Sequence, residues 1–95
     1  MNIATIRMSK SKGWKKLEEL VQMYEPNFTF EPNEVYKIQL LTGAVILCES
    51  MDIPNNEGFL FDQTNATMIY KKGLADLYII PSKFEKASIN IGDSK

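Results

Sequence analysis

The chain has no histidine and a single cysteine, Cys48. Without histidine there is no imidazole general base, no Ser-His-Asp or Cys-His pair and no His-ligated metal. One thiol forms no intrachain disulfide and builds no zinc site. No Gly-rich phosphate loop, G-x-S-x-G or C-x-x-C spacing occurs. These absences point away from catalysis and toward binding, with no catalytic residue, no metal and no cofactor expected. Long apolar runs are missing too. The longest, Ala44–Cys48, falls far short of a membrane span. The opening residues MNIATIRMSKSKGWKK hold no apolar signal core, so a cytoplasmic chain without membrane contact is expected.

What is present suits one folded domain over 1–95, with 44% hydrophobic and 24% charged residues. A net charge of −1 argues against a non-specific nucleic-acid binder. The charge is nonetheless unevenly placed. Arg7, Lys10, Lys12, Lys15 and Lys16 come first with no acid among them, and then Glu18, Glu19, Glu25, Glu31 and Glu34 with no base. Two readings follow: a solvated tail before a polar helix face, or a basic arm that contacts an anion or an acidic partner. Residues 1–12 fit either such an arm or an edge strand.

Trp14, Leu17, Leu20, Val21 and Tyr24 share the spacing of one helical face, which predicts an amphipathic helix over 13–25. Ser11 is its candidate N-cap, and Pro26 stops it. Beyond Pro26 the pattern is that of strands. Tyr36, Ile38 and Leu40 alternate within Val35–Leu41, Thr42-Gly43 turns the chain, and Ala44–Cys48 follows, which together predict a hairpin. Phe59–Phe61, Ala66–Lys71 and Leu77–Ile80 are further short strands. Residues 82–95 read as one helical turn and a loose tail, with Ile89 and Ile91 as an optional strand. Glu49, Asp52, Glu57 and Asp62 lack the spacing of a hard-cation loop and read as solvated acids. Cys48 closes an apolar run and reads as a buried thiol.

The expected fold class is therefore α+β, mostly β: an N-terminal amphipathic helix, then about five short antiparallel strands over 27–81 curled into a small barrel. This order resembles the Sm-like barrel shared by the RNA chaperone Hfq, over residues 14–82. The stretch Val35–Val45 is similar to that family's first motif, and Met68-Ile69-Tyr70-Lys71-Lys72-Gly73-Leu74 is similar to the Hfq segment carrying a Tyr-Lys-His triplet, with Lys72 in the place of the His. Ile80-Pro81-Ser82 resembles the close of the last strand. SH3-like and PUA-like barrels fit the same strand count.

The resemblance implies a homo-oligomeric ring that binds single-stranded RNA, with Phe59 where the family places a base-stacking aromatic. Tyr70 with Lys71 and Lys72 would supply a ring and two charges at one strand end, and Lys10 and Lys12 would add contacts to phosphate. The competing reading of Tyr70 is a half-buried strand aromatic. For the two lysines it is a charged strand end that blocks edge pairing. The functional expectation is a non-catalytic RNA-binding regulator. The alternative is a protein-interaction module, such as an inhibitor or regulator from a phage or mobile element, with no nucleic-acid affinity.

Overall fold

Period-two alternation sets the architecture. In β3 (Val35–Thr42), Tyr36, Ile38 and Leu40 are buried while Lys37 and Gln39 face solvent. Side chains alternate across a strand, so one face of β3 belongs to a core and the other to water. The same alternation holds in β1 (Asn2–Ser9), which buries Ala4, Ile6 and Met8, and in β8 (Lys86–Asp93), which buries Ala87, Ile89 and Ile91.

The computed structural model describes residues 1–55 and 58–93. The remaining strands are β2 (Lys15–Lys16), β4 (Val45–Ser50), β5 (Phe59–Phe61), β6 (Thr67–Lys71) and β7 (Asp76–Pro81). They form two antiparallel four-stranded sheets, ordered β1-β8-β3-β6 and β2-β7-β4-β5. Ile6, Ile38, Ile89 and Ile91 from the first sheet share one core with Val45, Leu47 and Ile79 from the second. At one end of that core, Phe28, Phe30, Tyr36 and Tyr70 meet edge to face, with ring centroids 4.8–6.0 Å apart. The one α-helix among the described residues, α1 (Leu17–Gln22), packs against β1, β2 and β7 and buries Leu17 and Val21 completely.

Several expectations are corrected. The sheets do not close into a barrel: β1 and β6 end the first, and β2 and β5 end the second. The helix is neither N-terminal nor thirteen residues long. Residues 1–12 hold β1 and a 3-10 turn, Lys10–Lys12, and the helix spans Leu17–Gln22. Lys15 and Lys16 carry the helical charge pattern, but their backbone pairs with Ile79 and Tyr78 of β7, so the helix starts after them. Lys16 occupies the N-cap position and no side chain caps the helix there, Ser11 included.

The described residues hold eight strands instead of about five, and the helix-then-barrel order implied by the Sm-like resemblance is not the order found. Val35–Leu41 and Ala44–Cys48 are not a hairpin. β3 pairs with β6 and β8, β4 pairs with β5 and β7, and Thr42-Gly43 is a corner where the chain changes sheets. The supposed tail is the longest surprise: β8 lies inside the first sheet between β1 and β3. Its residues had to be ordered, because Ile89 and Ile91 are fully buried.

Among the described residues, no helix is long and apolar enough to cross a membrane.

Candidate functional site

Tyr70 points into the protein. It follows Met68 on the inward face of β6 and is 2% exposed, with its ring against Phe30. Its hydroxyl has no hydrogen-bond partner among the described residues. Burial pushes its ionisation up to about 12, with a smaller contribution from the carboxylates of Glu49 and Asp76. A ring held this way offers no face to a base.

The neighbouring lysines part company. Lys71 lies exposed opposite Val35 on the outer face of the first sheet. Lys72 is half-buried, its Nζ donating to the Ala75 carbonyl at 3.1 Å and pairing with Asp76 at 3.5 Å. Asp76 also holds Lys16 at 3.4 Å, and this hydrogen-bonded carboxylate raises the Lys16 ammonium above its ordinary value. Phe59 is 76% exposed, but it stands on β5, at the edge of the other sheet, opposite Leu47. The fold therefore does not assemble Phe59, Tyr70, Lys71 and Lys72 into one surface site.

Glu57 lies outside the described residues. Among the described ones, no group of three or more His, Cys, Asp or Glu side chains is placed to hold a metal ion. Asp62 is occupied locally: it accepts hydrogen bonds from the Thr64 hydroxyl and amide, which lower its pKa, and it pairs with Lys83 at 3.5 Å. Cys48 is half-buried on β4.

The basic N-terminal residues present a different picture. β1 runs straight into the 3-10 turn Lys10–Lys12, and two backbone amides anchor that turn to Glu85, just before β8. The Lys10 amide donates to the Glu85 carbonyl at 2.6 Å, and the Ser11 amide donates to the Glu85 carboxylate at 3.0 Å. These Ser11 bonds hold the Glu85 carboxyl below the usual carboxylate range, with Lys10 and Lys86 assisting. Gly13, at φ +74°, then turns the chain into β2. The charged segment is thus a fixed part of the fold.

This turn brings Arg7, Lys12 and Lys15 around one cleft of about 380 Å³. All three are exposed, and none forms a salt bridge with a described residue. Glu19 is the single carboxylate among the described residues that line the cleft. Buried side chains of Met8, Ile79 and Pro81 supply an apolar floor, and Leu20, Met23 and Tyr24 supply walls. Met23 is 76% exposed and Tyr24 50%. Arg7 also borders a neighbouring depression that includes Lys86, so the positive surface continues around the end of β1.

Lys12 was singled out by sequence as an anion contact, and it lines this cleft. Lys10 stands exposed on the same turn. Arg7 and Lys15 were visible only as members of a charge block. Nothing local in the sequence places Met23 and Tyr24 beside them, because the meeting depends on how α1 crosses β1. Compared with protein-family models, with curated proteins and with solved structures, the chain matches none.

Proposed function

We propose that the protein is a non-catalytic binding module that docks an acidic protein partner on its basic pole. The observation that carries this reading is the gathering of Arg7, Lys12 and Lys15 around one cleft in a protein of net charge −1. Lys10 and Lys86 extend the same pole. A local excess of one sign in an otherwise balanced molecule steers and orients a partner of the opposite sign.

The geometry favours a protein partner over RNA. Single strands are held by exposed aromatic platforms beside cations. Tyr70 is buried, and Phe59 stands on a strand that does not line the basic cleft. The cleft carries one half-exposed aromatic, Tyr24, set among Leu20 and Met23, a mixed apolar wall that suits protein side chains better than a stack of bases. The groups with displaced titration, Tyr70, Glu85, Asp62 and Lys16, are each accounted for by local burial or a local partner, and none lines the cleft. Convergent perturbed groups in a cavity are the usual mark of catalysis, so binding is the better account.

The test is an amide-shift NMR titration with polyglutamate and, separately, with polyuridine. Polyglutamate is expected to move Arg7–Lys15 and Lys86, with an affinity that falls as salt screens the charges. Shifts confined to β5 and β6 would overturn the reading. Tighter binding of polyuridine at the basic pole would return the protein to RNA.

A further inference from the structure

Resting on that reading, we infer that the cleft between β1 and α1 seats an apolar side chain of the partner's acidic segment, and that Glu19 limits how tightly it does so.

An isolated exposed apolar residue needs no explanation, since much of any protein surface is apolar. Met23 and Tyr24 are not isolated. They follow directly on α1, whose other apolar residues Leu17 and Val21 are fully buried, and they continue the line of half-buried Leu20 out into water. Together these three form the wall of a cavity floored by buried side chains: Ile79 is 1% exposed and Met8 9%. At about 380 Å³ the cleft lies in the size range of ligand sites. Methionine is the side chain that adapts most readily to a partner's shape.

The charges fix the kind of occupant. A purely apolar ligand would leave Arg7, Lys12 and Lys15 without a role, and a bare anion would leave the apolar walls wet. An apolar residue flanked by Asp or Glu satisfies both. Glu19 is the one group in the cleft that such a ligand would dislike. It stands on α1 and lines the same cleft as Lys15 of β2, where its charge offsets part of the cationic field and repels incoming carboxylates.

The experiment uses two short peptides of Asp and Glu that differ only at their centre, Leu in one and Ser in the other. Binding to the full chain is followed by fluorescence anisotropy. The Leu peptide is expected to bind about tenfold more tightly, the effect of burying one aliphatic side chain against apolar walls. The double variant Met23→Ala/Tyr24→Ala is expected to remove that preference and leave the Ser peptide's affinity unchanged. Both side chains are exposed, so thermal unfolding of the variant serves as its folding control. Glu19→Gln is expected to tighten both peptides by about two- to fivefold, the weight of one surface charge. Equal affinities for the two peptides, or a Leu preference that survives in the double variant, would overturn the inference while polyglutamate binding leaves the basic pole intact. Failure of Glu19→Gln to tighten either peptide would remove the role given to that carboxylate.

Discussion

The Tyr70 ring meets Phe30 edge-on, with ring centroids 5.1 Å apart and planes at 73°. That contact decides the use of Tyr70: it is an anchor between the core and the loop before β3, and it is closed to ligands. Its hydroxyl sits buried without a described partner. Tyr70→Phe is therefore expected to leave stability unchanged or slightly raised, because it removes a desolvated polar atom and keeps the ring. Tyr70→Ala, which empties the site, is expected to cost about 3–5 kcal/mol. Urea unfolding measures both. A substantial loss in Tyr70→Phe would mean that the hydroxyl has a partner after all.

The same residue predicts an alkaline dependence. An unfolded tyrosine ionises near ~10, whereas burial pushes Tyr70 up to about 12. Between those values the unfolded chain has released this proton and the folded chain still holds it. Stability from this group is complete below the lower value and is lost as pH rises through the upper one. Unfolding midpoints taken across this window should fall in the wild type and fall less in Tyr70→Phe. Parallel curves would show that Tyr70 titrates normally.

β8 carries the strongest structural prediction. Ile89 is fully buried in a strand flanked on both sides, so Ile89→Ala is expected to cost about 2–5 kcal/mol. Phe84, 60% exposed just before that strand, is expected to change stability by no more than about 0.5 kcal/mol when cut to Ala. Calorimetry that ranks the two the other way would contradict the placement of β8.

Gly43 is the corner between the sheets. Its φ is +76°, and a Cβ there would lie 2.7 Å from the Lys86 carbonyl oxygen. Gly43→Ala is expected to destabilise by about 1–3 kcal/mol, from the left-handed backbone and the forced shift of β8. Chemical unfolding that finds the variant as stable as the wild type would mean the corner is looser than described.

Much of the strand content was legible. Tyr36, Ile38 and Leu40 alternate with polar neighbours, and β5, β6 and β7 are bounded by strong turn residues. β8 carried the same signal in Ala87, Ile89 and Ile91, separated by Ser88 and Asn90, but Ser and Asn favour loops and masked it. The pairing was not legible at all. A Thr-Gly turn serves a hairpin or a change of sheet equally well, and only β8, arriving from far along the chain to pair with β3, decides between them. Of the expected helical stripe Trp14, Leu17, Leu20, Val21 and Tyr24, only Leu17, Leu20 and Val21 fall in α1; backbone pairing with β7 took the first turn, and Tyr24 lies past the helix end. At the candidate site the charge block was visible. The cleft was not, because its walls and its cations come from separate elements.

The central claim is that the basic pole near β1, and not the Tyr70 segment, meets the partner. Two double charge reversals compare them directly: Arg7→Glu/Lys12→Glu and Lys71→Glu/Lys72→Glu, each titrated with polyglutamate at low salt. The first is expected to weaken binding by roughly tenfold or more, since it turns two contacts into repulsions. The second is expected to leave affinity nearly unchanged, because Lys72 is already held by Ala75 and Asp76 and Lys71 stands on another face. Binding that survives the first pair and is lost with the second would contradict the account.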